Sequence, residues 1–427
     1  MLALVALKGG SEMAATYLQK LRLFSRDVRL YLIAAALSGF TVDGVHAVLM
    51  NLYLLRLGHG PEFIGLVNAA GALAFTLFCL PAGALGKRWG SRRIMIVGVS
   101  LMMAGGGLLP LVEFIPATWQ AEWLLATNML AGLGLALYYV NGIPFLMVAT
   151  DPEERNHAFS VQMALAPLAG FVGSLVGGTL PRVLATMLGV SLDGPVAYRY
   201  PLLGAALLLF PGVLALTATR EVRAGRGPEH MRETGRGPYG LIVLMGLIVV
   251  LRLAGYGVTS TFFNVYLDAG LHTSTALIGA LSAARQLLSV PAALIAPLLV
   301  ARWGNGRTIA VGSLGIALSM LPLALIPHWS AAGLGFLGVT ALFSMTAAPL
   351  RVYSQEIVSP GWRAAMSGVV MMGAGLSTSA VAFGGGYLIT TWDYPGLFLT
   401  GAGLTAAGAL FFWAYFRVSR GDLTLAT

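Results

Sequence analysis

The chain is poor in charge. Only 10% of its 427 residues are Asp, Glu, Lys or Arg, 57% are hydrophobic, and mean hydropathy is +0.80. A soluble globular chain carries about 25% charged residues, so too few are present here to cover a water-facing surface. Cysteine is nearly absent: Cys79 stands alone in an apolar run, which rules out an internal disulfide. No GxxxxGK[ST] loop occurs, so ATP is not the expected energy source. No cluster of metal ligands and no nucleophile–base–acid set appears, so no metal, cofactor or enzymatic activity is expected. The longest connection between apolar runs is residues 220–238, too short for a soluble output domain, which makes a non-transporting sensor a remote alternative. No basic stripe lies on a soluble domain, so the net charge of +9 is read as membrane topology and not as nucleic-acid binding. The first apolar stretch, Met1 to Leu7, is short and has no basic residue before it. No cleavable signal peptide is expected, and Met13 is an alternative start to Met1.

Long apolar runs and glycine are abundant. A spanning helix needs about 20 apolar residues, and twelve runs qualify: 30–57, 62–86, 93–115, 119–149, 158–184, 199–219, 239–268, 273–301, 307–326, 331–358, 364–391 and 394–417. The 55 glycines suit membrane helices whose backbones approach closely. With the N-terminus inside, 20 of the 26 Lys and Arg fall in cytosolic segments and three (Arg56, Arg182, Arg199) outside. That bias places both termini in the cytosol of a multi-pass plasma-membrane protein. The expected organisation is a cytosolic tail (1–29), a six-helix bundle (30–219), a Gly-, Arg- and Pro-rich cytosolic linker (220–238), a second six-helix bundle (239–418) and a cytosolic tail (419–427). The fold class is all-α membrane protein. Its partners would be the lipid bilayer, a small solute and a proton, with the chain acting as a monomer.

The halves repeat. Asn51-Leu52-Tyr53-Leu54 matches Asn264-Val265-Tyr266-Leu267, Ile64-Gly65 matches Ile278-Gly279, and Arg88-Trp89-Gly90 matches Arg302-Trp303-Gly304. Val97-Gly98 matches Val311-Gly312. Pro152, Arg155 and Gly177-Gly178 line up with Pro360, Arg363 and Gly385-Gly386. The offset is about 214 residues early and 208 later. A parallel six-plus-six repeat is a known plan of secondary transporters, with the solute site at midplane between the halves.

The turn between the second and third runs is Gly83-Ala84-Leu85-Gly86-Lys87-Arg88-Trp89-Gly90-Ser91-Arg92-Arg93. It resembles the helix 2–3 loop signature of the major facilitator superfamily, G-x-L-a-D-r-x-G-r-r. The Gly83, Leu85, Arg88, Gly90 and Arg92 slots fit. Lys87 occupies the slot of the acid that helps latch the two halves at the cytosolic side in that family, and a pairing of Arg92 with Glu153 or Glu154 is an alternative latch. Arg302 and Gly304 form the second copy of the turn. Ala166-Pro167-Leu168-Ala169-Gly170 in the fifth run resembles the family's G-P-x-x-G-G antiporter signature, with Ala166 and Phe171 in two glycine slots. Pro167 and Gly170 also fit a simple kink with close helix packing. The resemblance implies alternating access by two six-helix halves, with the first, fourth, seventh and tenth helices lining the cavity and the third, sixth, ninth and twelfth facing lipid.

Ionisable groups inside spans are costly and mark sites by default. Asp43, Arg252 and Arg285 fall near one depth in the first, seventh and eighth runs, and Arg351 lies about two turns from the cytosolic end of the tenth. Helical spacing adds His46 and Met50 to Asp43, Tyr256 to Arg252, and Gln286 stands beside Arg285; Tyr138 and Asn141 mark the fourth run. Each has a plainer reading: Asp43 or Arg285 in a structural ion pair, His46 bonded to a helix carbonyl, tyrosines as packing. Burial favours the neutral form of a carboxylate and a nearby cation its charged form. Asp43, with His46 sharing the proton, is therefore the candidate for coupling a proton gradient to transport. One acid against three arginines leaves an excess of positive charge that an organic anion could balance. Two transport readings stand: proton-coupled efflux of a small organic solute, and import or exchange of organic anions through Arg252 and Arg285.

Overall fold

The computed structural model describes residues 24–220, 238–359 and 362–423. The expected tails up to residue 23 and from 424, and most of the linker, lie outside the described residues, as does Pro360 of the repeat. Every regular element among the described residues is helical. In chain order they are α1 (Arg26–Arg56), α2 (Pro61–Trp89), α3 (Ser91–Phe114), α4 (Ala117–Ala149), α5 (Pro152–Leu188), α6 (Val196–Thr217), α7 (Tyr239–Gly270), α8 (Thr275–Leu325), α9 (Trp329–Glu356) and α10 (Arg363–Leu423). All ten are long and apolar enough to cross a bilayer.

Local chemistry explains where they start and stop. The Ser25 hydroxyl accepts from Val28 N at 3.3 Å and opens α1, as Ser274 accepts from Leu277 N at 3.4 Å and opens α8. Pro61 and Pro152 stand in the first turns of α2 and α5, where no amide hydrogen is needed. Gly90 separates α2 from α3 at φ 94°, and its repeat partner Gly304 breaks α8 at φ 76°. Both conformations are glycine territory. α8 and α10 each contain an apolar stretch of 51 residues. At about 1.5 Å per residue that is roughly 77 Å, more than twice the ~30 Å of a bilayer core. Gly304 in α8 and Asp393 in α10 (φ 58°, ψ −176°) have non-helical backbone, and each break falls between two of the expected runs, 273–301 and 307–326 in α8, 364–391 and 394–417 in α10.

Two helices are locally unwound. α1 holds a π-helical stretch, Gly39–His46, with Asp43 inside it, and α7 ends in a second, Tyr266–Gly270. The first lies backbone to backbone on α5. A Cβ on Gly44 would come within 2.6 Å of Gly173 Cα, one on Gly39 within 2.5 Å of Ala166 O, and one on Gly170 within 3.3 Å of Asp43 Cβ.

The repeat-matched residues meet one another across the two repeats. Asn51 in α1 donates to Thr261 O in α7 at 2.7 Å, and its counterpart Asn264 donates back to Ala47 O at 2.7 Å and Val48 O at 3.3 Å. A Cβ on Gly279 in α8 would stand 2.6 Å from Ser174 O in α5, and one on Gly65 in α2 would overlap Ala382 O in α10. A Cβ on Gly178 would stand 3.0 Å from Thr275 O, and one on Gly386 2.6 Å from Pro61 O. In lipid, helices associate through such small-residue contacts because apolar burial offers little between apolar surfaces. One contact has no symmetric copy. Arg56, at the end of α1, pairs with Asp268 in α7 through two bonds of 2.7 Å and also donates to Leu192 O at 3.1 Å.

These crossings lie toward one end of the molecule. Along α2 and α10 the backbones touch at Gly386 and Gly65, whereas a Cβ on Gly368, toward the opposite end, would meet only Leu80 Cδ2 at 3.8 Å. The two helices therefore splay toward the end that carries Lys87 and Arg363.

Candidate transport chamber

Below the crossed end lies a cavity of about 550 Å³, within the range of small-molecule sites. Its wall draws on α1 (Thr41, Val42, His46, Met50), α2 (Asn68, Phe75), α4 (Asn128, Leu135), α7 (Ser260, Thr261), α9 (Arg351) and α10 (Met371, Thr378). Small residues such as Gly71, Gly132 and Gly375 make the room. Met102 and Gly106 of α3 and Ala205 of α6 also line it, so two helices expected to face only lipid contribute to the wall. Arg351 and His46 are the ionisable groups in the lining; no carboxylate is among them.

Asp43 lies beside the cavity, where α1, α5 and α8 meet. The Gln286 amide, 9% exposed, donates to the Asp43 main-chain oxygen at 2.9 Å. Gly170 leaves the space that both occupy: a Cβ there would approach Gln286 Nε2 to 3.1 Å. The motif around Pro167 and Gly170 thus packs directly under the acid. The Tyr139 hydroxyl faces the Asp43 carboxylate and the Arg285 guanidinium acts on it electrostatically. Among the described residues no ion pair joins Asp43 to Arg285. The guanidinium lies over the Phe336 ring at 5.4 Å, with its Nε buried and unpartnered. Phe336 stacks on Phe263 at 3.7 Å, and Tyr256 stacks on Phe343 at 3.9 Å.

Of the seven residues expected to line the cavity only Arg351 does so; Tyr256, Arg285 and Gln286 lie behind its wall in the contacts just described, and three more are buried inside single repeats. Arg252, 1% exposed, is inside the second repeat, where its Nη1 donates to Ser313 Oγ and Thr346 Oγ1, each at 3.2 Å. α7 leaves regular helix at Leu253, so the helical face counted from the residues beyond does not carry through. Asn141 is 2% exposed and donates to Ala82 O at 3.1 Å and Leu137 O at 2.9 Å; its Oδ1 sits against Gly86 of the basic turn. It locks α4 to α2. Tyr138 is buried against Tyr31, with ring centroids 6.5 Å apart, while its neighbour Tyr139 turns to Asp43. Adjacent helical residues point about 100° apart, and the apolar pattern of α4 does not say which one faces inward.

In the basic turn, Lys87 and Arg88 are exposed and Gly83 has only Val140 nearby, at 3.7 Å from a Cβ position. Arg92 donates from Nε to Leu216 O at 3.2 Å and from Nη2 to Thr217 O. A cation is thereby placed on the carbonyl end of α6; the Glu153 side chain, one of the two expected partners of Arg92, lies outside the described residues. Arg302 is exposed. Residue-by-residue reasoning passed over Asn68, Tyr139 and the pair Arg56–Asp268. Asn51 and Asn264 were visible only as repeat matches.

Known proteins frame this geometry. The chain is 34% identical over 143 residues to the major facilitator superfamily multidrug transporter mfsC of Aspergillus fumigatus, covering 33% of this chain but only 26% of that one. It is 25% identical over 350 residues to the multidrug resistance protein MdtH of Yersinia enterocolitica, covering 79% and 80% of the two chains. The inward open xylose transporter XylE from E. coli superposes with a TM-score of 0.71 at 15% identity, over 90% of this chain and 94% of that one, which shows a shared fold. The family model of the Major Facilitator Superfamily matches residues 31–382 and 245–425. A helical membrane fold with an internal repeat, a chamber between its repeats and that match across nearly the whole described length lead to one conclusion: the chain belongs to the Major Facilitator Superfamily and is a multi-pass membrane transporter, not an enzyme.

Proposed function

We propose that this transporter exports small, largely apolar organic compounds by alternating access in exchange for protons. The observation that carries the reading is the chamber. Its wall is mostly Met, Phe, Leu, Ala and Gly with a few amides and hydroxyls, and it adjoins the one acid at midplane. Flexible methionines suit a site that accepts varied apolar shapes. The multidrug names of its relatives support the same substrate class. α1–α6 and α7–α10, read as twelve spans, are the two moving halves. With both termini cytosolic, the crossed end is extracellular and the chamber faces the cytosol. Asp43, with His46 one turn away in the unwound stretch, takes and releases the proton; Gln286, Tyr139 and Arg285 surround it. The chain needs no second copy to enclose this site.

The test is flux in proteoliposomes with an imposed pH gradient, using ethidium as the transported dye. Asp43→Asn should retain dye binding and lose the response to the gradient. Gradient-driven flux equal to that of the parent protein would refute the proton role.

A second reading has its own observation. Arg351 is exposed to the chamber and no carboxylate lines the wall, which favours an organic anion. With Arg252 inside the second repeat, that reading rests on Arg351 and Arg285. Thermal-shift titration separates the two, because ligand binding raises apparent stability by mass action. Stabilisation by 8-anilinonaphthalene-1-sulfonate that disappears in Arg351→Ala supports the anion reading. Stabilisation by tetraphenylphosphonium that survives Arg351→Ala supports export of lipophilic cations.

A further inference from the structure

The two ends of one hydrogen-bonded chain stand in the chamber wall. Asn68 in α2 lines the chamber, and its Nδ2 donates to Asn51 Oδ1 and to Ile64 O, both at 2.8 Å. Asn51, 6% exposed, uses its own Nδ2 on Thr261 O across the repeats at 2.7 Å. Thr261 again lines the chamber. An amide oxygen held by a donor fixes which way the amide's own hydrogens point. Asn68 therefore orients the Asn51 amide toward the second repeat. The symmetric bond, from Asn264 to Ala47 O and Val48 O, has no such support: among the described residues no hydrogen bond joins Asn264 to Ser282, the repeat partner of Asn68.

We infer that Asn68 is a positioning residue for alternating access: it holds the Asn51 pin that closes the crossed end, and so ties the chamber wall to the seal above it. Asn68 touches the chamber and acts on the seal only through Asn51. A solute acceptor that draws on the Asn68 amide competes with Asn51 Oδ1 for the same hydrogen and loosens the pin on one side only. The pin makes the roof of the chamber responsive to what lies under it. This rests on the reading of the chamber as the solute path between two moving halves.

The experiment is a double-mutant cycle read by distance, without ligand. Spin labels at Asp193→Cys and Ile326→Cys, in a Cys79→Ser background, report the separation of the two repeats at the crossed end of the reconstituted full chain. Asn51→Ala, Asn68→Ala and the double variant are compared with the parent, and Asn68→Gln, which keeps an amide donor, is the conservative control. Thermal melting checks that each variant is folded. Asn68→Ala should raise the open fraction at the crossed end about 2- to 10-fold, the range for one hydrogen bond. Asn51→Ala should do at least as much, and the double variant should add nothing beyond Asn51→Ala, because Asn68 acts through Asn51. Asn68→Gln should recover part of the closed fraction. Additive single effects, or an unchanged open fraction in Asn68→Ala, overturn the inference while leaving the transport reading intact. One fixed distance in every protein, at pH 5 as at pH 8, overturns both, since the crossed end would then never open.

Discussion

Single residues decide what the membrane-embedded charges are for. Arg252 and Asp43 look alike from composition, each a costly group at midplane, yet they have different surroundings. Arg252 is enclosed by one repeat and bonded to Ser313 and Thr346, whose hydroxyls also bond helix carbonyls, Ser313 to Ile309 O at 2.7 Å and Thr346 to Phe343 O at 3.1 Å. Removing the guanidinium therefore leaves no orphaned hydroxyl. A buried charge with no opposite charge beside it is costly to desolvate, so an apolar side chain of similar length in its place removes a penalty. Arg252→Met should leave dye binding unchanged and the thermal midpoint unchanged or raised, as scanning fluorimetry in detergent would measure. A loss of binding in that variant would return Arg252 to the solute path. Asp43 is the opposite case. It sits where α1 is unwound, beside glycine on α5 and an amide from α8, on the boundary that must move.

Elements meet through positions without side chains. Gly178 and Gly279 bring α5 and α8 into backbone contact, and Gly65 and Gly386 do the same for α2 and α10 by the repeat's symmetry. Overpacking such a crossing costs about 1–3 kcal/mol, and only in the state in which the crossing is closed. Gly178→Leu should therefore shift the transporter toward the conformation open at the crossed end, by roughly 5- to 150-fold in the ratio of states. Alkylation from the outer side of a cysteine placed at Met50, in the Cys79→Ser background, would read this out. Slower alkylation than in the parent would mean that this crossing is not part of the seal. The basic turns obey the same logic at the other end. Gly90 and Gly304 take positive φ at matched places, so the two turns are copies in backbone geometry as well as in sequence.

At the scale of the whole molecule, one ion pair breaks the symmetry. Arg56 and Asp268 are 18% and 8% exposed in their side chains and bond in two-point fashion across the repeats. A hydrogen bond to a charged group contributes about 1.5–3 kcal/mol. Arg56→Gln should favour opening of the crossed end by about 10-fold or more, seen with the same spin-label pair, and Arg56→Asp combined with Asp268→Arg should restore closure. Failure of the swap to restore it, with both variants folded, would assign Arg56 to its contacts with Leu192 O and the Tyr198 ring, 5.3 Å from its guanidinium carbon, and not to the seal. Closure at one end by glycine crossings, two asparagine pins and an ion pair, with splayed helices at the other, is the arrangement alternating access requires of one of its states.

Hydropathy and the internal repeat were enough to read the helical membrane fold, and the resemblance carried by the Gly83–Arg92 turn was enough to read the family. They suffice because the bilayer imposes one length on every span and one cost on every charge. The repeat also held the seal: Asn51, Asn264, Gly65, Gly279, Gly178 and Gly386 were all visible as matched positions, though not as contacts. What only the tertiary structure decided was direction around each helix axis. A break at Leu253 and an unwound turn at Gly39–His46 shift the helical phase by amounts that a count of residues does not register. The break turns Arg252 into its own repeat, while in the unbroken helices α4 and α2 an apolar pattern without a clear face leaves it to packing to bury Asn141 in one repeat, bring Tyr139 rather than Tyr138 to Asp43, and place Asn68 between the chamber and its seal.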